Sequence, residues 1–196
     1  MLREKSIIAV VGMAGSGKSL ACEFFKTKGN PVLRFGDETD RGLRAENLPL
    51  TEANERQYRE NLRKELGMAA YAIKIEPHLR EAFRSGTECI ILDGLYSWEE
   101  YIYLKAKFPQ LKLLAIYTSP ALRIKRLAKR VIRPLSAAKT KQRDIAEIEN
   151  LHKAGPIAIA DYLVVNEGSV SDFHQELEKA LVHFHTRSGW LLTDKE

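Results

Sequence analysis

Apolar residues along this chain fall into two patterns. Short uninterrupted runs occur at residues 6–11 (Ser-Ile-Ile-Ala-Val-Val), 89–93 (Cys-Ile-Ile-Leu-Asp) and 111–118, with shorter ones at 31–35 and 162–165. Runs of that length, rich in β-branched residues, suit strands buried on both faces of a parallel sheet. Between them the apolar residues recur at helical spacing. The pattern predicts a helix from about Lys18 to Lys28, closed by Gly29. It predicts mostly helix over 51–84, with breaks near Gly67 and Pro77, and another helix over 97–107. A further helix is expected to start at Pro120 behind Ser119 as cap, run to about Val131 and stop by Pro134. Two more are expected, over about 141–153 and 171–186, and then a loose tail whose Trp190-Leu191-Leu192 can dock on the core.

Strands alternate with helices throughout, which is the signature of an α/β fold with a parallel sheet covered on both faces. The 196 residues are expected to form a single domain, 1–196, with no internal repeat or linker.

The turn after the first strand carries the chemistry. Gly12-Met13-Ala14-Gly15-Ser16-Gly17-Lys18-Ser19 matches G-x-x-x-x-G-K-[ST] and lies between a predicted strand and a predicted helix. Gly15 and Gly17 let the backbone curl so that successive N–H groups point at phosphate oxygens. The helix that follows places its positive end there as well. In this pattern Lys18 reaches the β- and γ-phosphates and the Ser19 hydroxyl ligates magnesium. Its fixed positions coincide by accident in roughly 1% of chains of this length, so binding of ATP or GTP with Mg²⁺ is the expectation. The strand at 89–93 ends in Asp93, placed to hold the metal beside the phosphate loop; alone, such a residue equally caps the next turn.

Charge and cysteines change the picture less. The net charge is +5, and residues 123–143 hold nine Lys and Arg with no acid, a run expected to face water or a polyanion. Arg126 and Arg130 are four apart and share a helix face. With Arg143 from a facing arm they can stabilise charge on a transferred phosphoryl group; without the phosphate loop they would read as a solvated basic face. Arg123 reads as surface. Cys22 and Cys89 fit no metal or redox spacing and are expected as buried free thiols. The five histidines form no ligand cluster. No signal segment or apolar run of membrane length is present, so a cytoplasmic protein is expected.

Taken together, five segments resemble the adenylate-kinase-like P-loop kinases, which include nucleoside monophosphate kinases and dephospho-coenzyme A kinase. The chain looks closest to a prokaryotic group related to both. Besides the phosphate loop, these are Phe35-Gly-Asp-Glu-Thr-Asp-Arg41, Leu92-Asp-Gly-Leu-Tyr-Ser97, Arg126-Leu-Ala-Lys-Arg130 with Arg143-Asp144, and Ala160 to Ser169. The resemblance implies a five-stranded parallel sheet in order 2-3-1-4-5, a helical acceptor-binding insertion at about 37–80 and a short metal-free lid at about 131–143. It implies a nucleotide site of Gly12, Ala14, Gly15, Ser16, Gly17, Lys18, Ser19, Leu20 and Asn166. Magnesium would be held by Ser19 and Asp93, and the acceptor would lie near Asp37, Arg41, Gly94 and Tyr96. Tyr96 stands where those kinases carry an arginine for the acceptor phosphate, and Arg41 is one residue further from Asp37 than usual. Lys18, Asp37, Arg126, Arg130 and Arg143 are the implied catalytic residues.

The function expected is therefore ATP-dependent phosphorylation of a nucleotide-like small molecule by a monomer or homodimer. The alternative is a nucleotide-driven switch or nucleic-acid-associated ATPase. Neither a GTPase base-reading motif nor an aromatic-interleaved basic patch supports it.

Overall fold

A computed structural model describes residues 5–187. The five strands are β1 (Ser6–Val11), β2 (Val32–Arg34), β3 (Cys89–Asp93), β4 (Leu111–Tyr117) and β5 (Tyr162–Val165). All neighbouring pairs are parallel, in the order β2-β3-β1-β4-β5. The helices are α1 (Lys18–Thr27), α2 (Gly36–Ala45), α3 (Glu52–Leu66), α4 (Ala70–Arg84), α5 (Trp98–Lys107), α6 (Pro120–Ala128), α7 (Ala137–Glu149), α8 (Ala154–Ala158) and α9 (Val170–Arg187).

The two-residue period of a strand explains how β1 serves two cores. Ile7, Ala9 and Val11 face one way and pack with Tyr71, Ile75 and Leu79 of α4 and Leu104 of α5. Ile8 and Val10 face the other way and meet Phe24 and Phe25 of α1 and Phe173 and Leu177 of α9. The continuous apolar runs of β1, β3 and β4 arise because the middle of the sheet is buried on both sides, while the edge strands β2 and β5, expected to be buried likewise, are partly exposed.

Local departures from expectation have physical reasons. Pro77 does not break α4, which runs through it. Tyr71, Ala72, Ile75, Leu79 and Phe83 form one buried face along that helix, and their burial offsets the lost backbone bond. Gly67 does end α3, at a φ of 75° that favours glycine. Residues 36–45, which carry no clear apolar period, are helical as α2, with Glu38, Thr39 and Leu43 buried. α6 ends at Ala128, three residues early, and Ser119 occupies its cap position without a side-chain bond. α7 begins at Ala137, where the Ser136 hydroxyl accepts from the Lys139 amide at 3.3 Å. The second half of the segment expected as lid is thus the start of α7, and only 129–136 is irregular. Cys22 is buried while Cys89 is half-buried, and both are free. The tail with Trp190-Leu191-Leu192 lies outside the described residues.

Candidate active site

In a parallel sheet of this order, the crevice beyond the strand ends opens where neighbouring connections part to opposite sides. Here that point is the end of β1, flanked by β3 on one side and β4 on the other. The loop Gly12–Gly17 fills it. Gly12 has φ 147°, and a Cβ there would meet the Ile116 carbonyl at 2.5 Å. Gly17 has φ 105°, and a Cβ would overlap the Asn166 amide. The loop therefore needs glycine both for its backbone curl and for the closeness of β4 and of Asn166.

The β4–β5 side braces the loop. The Ser16 carbonyl accepts from Asn166 Nδ2 at 2.8 Å and from Thr118 Oγ1 at 3.1 Å. Asn166, expected in the nucleotide site, thus supports the loop. Ser16 is buried, and its hydroxyl has no hydrogen-bond partner among the described residues. Arg126 donates to Thr118 Oγ1 at 3.2 Å and Asn166 Oδ1 at 3.4 Å. Arg126 and Arg130 line one small pocket with Gly15, Gly17, Lys18, Ser19 and Leu20. The two do not share a helix face, since Arg130 lies beyond the end of α6, but both side chains line the pocket at the phosphate loop.

Arg123 is not a surface residue. It is buried, donates to the Ala14 carbonyl at 3.0 Å and forms a fork with both Asp144 oxygens at 2.9 and 2.7 Å. It joins α6 and α7 to the backbone of the loop. A basic run reads as solvated unless its acid is known, and the acid here comes from the next helix.

On the β3 side, Asp93 pairs in register with Val10, two residues before Gly12. Arg34 reaches Asp93 at 3.5 Å and Asp37 at 3.3 Å, so one guanidinium gathers both carboxylates at the site. Asp37 is the second residue of α2 and is half-buried. Arg41 instead pairs with buried Glu38, which His78 also approaches at 3.3 Å. Gly94 has φ 110° and turns the chain after β3, with Phe35 and Tyr96 close to where a Cβ would stand.

Lys18 is the centre of the charges. Its ammonium donates to the Met13 carbonyl at 3.1 Å. Burial lowers its pKa from 10.5 to about 7, helped by the Lys153 and Arg143 cations and opposed by Glu147 and Asp93. Burial, with the Asp93 and Glu147 carboxylates, pushes the Tyr96 phenol up to about 12, so it stays a neutral hydroxyl. Burial, with Asp93 beside it, also pushes the Cys22 thiol up, and it stays protonated.

Two members of this cluster escaped the sequence reading. Lys153, in the turn between α7 and α8, is buried; it donates to Glu147 Oε2 at 2.6 Å and lies 4.8 Å over the Tyr96 ring. Glu147 also accepts from Arg143 Nε at 2.8 Å. Burial pushes the Glu147 carboxyl up, but the two cations outweigh it and hold it ionised. A signal was present for one of the two, since Arg143 and Glu147 are four apart on a helix.

The donors fit magnesium. The Ser19 hydroxyl and the Asp93 carboxylate offer hard oxygen donors, and no group of three or more His, Cys, Asp or Glu that could hold a metal occurs among the described residues. Magnesium in phosphate sites takes one or two protein oxygens and completes its shell from phosphates and water. No helix among the described residues is long and apolar enough to cross a membrane.

A model of the AAA domain family AAA_18 matches residues 8–149. A UPF0200 protein of Thermococcus sibiricus is 33% identical over 177 residues, covering 88% of this chain and 92% of that protein. The chain belongs to the UPF0200 family of P-loop proteins. Among solved structures, a gluconokinase from Sinorhizobium meliloti shares the fold at a TM-score of 0.57 and 17% identity, covering 96% of this chain and 97% of its own. A dephospho-CoA kinase from Campylobacter jejuni does so at 0.53 and 19%, covering 92% and 97%. In this UPF0200 protein the phosphate loop and the 2-3-1-4-5 sheet form a nucleotide-binding P-loop domain of kinase-like fold.

Proposed function

We propose that this UPF0200 protein is a magnesium-dependent kinase that moves the γ-phosphoryl group of ATP, or GTP, to a small nucleotide-like acceptor. A nucleoside monophosphate or the hydroxyl of a dephospho-coenzyme A-like molecule is the acceptor class. The observation that carries the reading is the placement of unlike groups on the two sides of one phosphate loop. Arg126 and Arg130 line its pocket from the β4–β5 side. Asp37 and Asp93, gathered by Arg34, stand on the β2–β3 side next to α2. Phosphoryl transfer needs this division: cations over the γ-oxygens, and a separate place for the incoming nucleophile.

The loop amides cradle the nucleotide phosphates and Lys18 spans the β- and γ-oxygens. Ser19 and Asp93 would hold magnesium, whose charge neutralises the phosphate oxygens when it is bound. Arg126, Arg130 and Arg143 stabilise charge that builds on the transferring group. Arg41, Gly94 and Tyr96 border the acceptor. Asp37 takes the proton if the acceptor is a hydroxyl; a phosphate acceptor needs no base. The kinase neighbours of this fold support the reaction class without fixing the acceptor.

The test is ADP release from Mg-ATP against a panel of nucleoside monophosphates, nucleosides and dephospho-coenzyme A. One acceptor should raise turnover far above the acceptor-free rate. Turnover that ignores every small molecule and rises with RNA or DNA would overturn the reading in favour of a nucleic-acid-associated ATPase.

A further inference from the structure

Glu147 is buried on α7 and has two carboxylate oxygens, each with its own cation. Oε1 accepts from Arg143 Nε at 2.8 Å. Oε2 accepts from Lys153 Nζ at 2.6 Å. An arginine alone against a carboxylate prefers a two-bond fork that uses Nε and one Nη, or both Nη. Arg123 shows that arrangement on Asp144 in this same protein. Arg143 does not adopt it on Glu147, whose second oxygen accepts from Lys153 instead. Its two Nη groups make no hydrogen bond among the described residues, and its side chain is 47% exposed.

Lys153 is fixed from several directions. Its side chain is 3% exposed and sits over the Tyr96 ring. The turn that carries it is tied to α5 by the contact of His152 with Glu99 at 2.7 Å. Trp98 packs against Gly155 on its other side, where a Cβ would approach the indole at 2.7 Å. A lysine held this firmly against one carboxylate oxygen is a fixed wedge.

We infer that Lys153 is a positioning residue: by occupying Oε2 of Glu147 it limits Arg143 to its Nε contact and leaves both Nη groups free for the transferring phosphoryl group. Lys153 lies over the Tyr96 ring, and Tyr96 packs beside Gly94 at the end of β3, so the Arg143–Glu147–Lys153 cluster stands at the β3 side of the same site. The inference rests on the phosphoryl-transfer reading given above. It adds a residue that is not expected to touch substrate and a reason why a buried ion pair stands beside the lid arm.

The test compares binding of Mg-ADP with binding of Mg-ADP plus aluminium fluoride, which mimics the planar phosphoryl group. Wild type should bind the fluoride complex much more tightly than Mg-ADP alone. In Lys153→Met, Arg143 closes its fork on Glu147, so the fluoride complex should weaken by about ten-fold or more. Mg-ADP alone, measured near pH 6 where Lys18 is charged in both proteins, should change by less than about two-fold. In the Arg143→Ala background the same lysine substitution should add less than about two-fold. Should Lys153→Met fail to fold, Glu147→Leu with Lys153→Met removes the whole buried pair, which proteins commonly tolerate. That double variant leaves no carboxylate for Arg143 to fork on, so its fluoride complex should weaken by less than about three-fold, and a ten-fold selective loss there would overturn the blocking role. Equal weakening of both complexes, an additive effect in the Arg143→Ala background, or an unchanged fluoride complex in Lys153→Met would overturn the positioning role. A wild-type protein that binds Mg-ADP but gains nothing from aluminium fluoride would overturn the transfer reading itself, and this inference with it.

Discussion

Nucleotide binding should take up a proton near neutral pH, and Lys18 is the reason. Burial, aided by the Lys153 and Arg143 cations, lowers its pKa to about 7 in the free protein. Polyphosphate binding requires the ammonium form, and the added negative charge raises the pKa again. The sign follows directly. Below pH 7 the lysine is already charged and affinity is at its plateau. Above pH 7 each bound nucleotide must bring a proton with it, so affinity falls as pH rises. If only the charged form binds, the apparent Kd scales as one plus ten to the power of pH minus pKa. From pH 6 to pH 8 that is a weakening of about ten-fold, or about 1.4 kcal/mol. Calorimetry of ADP binding in two buffers of different ionisation enthalpy reads the proton directly, with excess magnesium to keep the nucleotide itself from titrating. About 0.9 proton should be taken up per nucleotide at pH 8, and about 0.1 at pH 6. In Lys153→Met the window should move to higher pH, because the strongest charge acting against Lys18 is gone. Equal affinity at pH 6 and pH 8 with no proton uptake would refute the argument.

Four substitutions test other parts of the site. Arg123→Met leaves Asp144 without its fork and should cost about 3 kcal/mol; for a chain of this size that lowers Tm by roughly 6–12 °C, measured by calorimetry. Arg126→Ala and Arg130→Ala should each depress kcat more than nucleotide affinity, and small equal effects on both would return them to a solvated basic face. Asp37→Asn should cost about 10²–10⁴-fold in rate with a hydroxyl acceptor while Mg-ADP binding survives. With a phosphate acceptor the loss should be smaller and appear in the acceptor KM.

Much of this architecture is written in local pattern. Each buried strand is one short apolar run, and the strand–glycine–helix junction at 6–19 places the phosphate loop without reference to the rest of the chain. Asp93 ends such a run and Asn166 follows one, so their places at the strand ends beside the loop follow from local pattern. The residues that escaped are those whose meaning depends on a distant partner. Arg123 sits among basic residues, and only Asp144, on another helix, makes it a buried strut. Lys153 follows a histidine in a turn, with no apolar period to mark it as interior; Glu147, Tyr96 and the packing of α8 on α5 enclose it. Pro77 misleads for the opposite reason. A local rule for helix ends was overridden by the tertiary burial of Ile75, Leu79 and Phe83 along α4. Asp37 was expected just past β2, which is correct, but the absence of an apolar stripe hid the helix it begins.

The most direct measurement of the central claim follows the phosphoryl group itself. ATP carrying an isotopic label in its γ-phosphoryl group would be incubated with magnesium, the protein and the acceptor panel, and the label traced by mass spectrometry. The account predicts label on one small acceptor, transferred by wild type and nearly absent with Lys18→Ala, which should remain folded. Label that appears only in inorganic phosphate whichever small molecule is present, or transfer that survives Lys18→Ala within a few-fold, would contradict it.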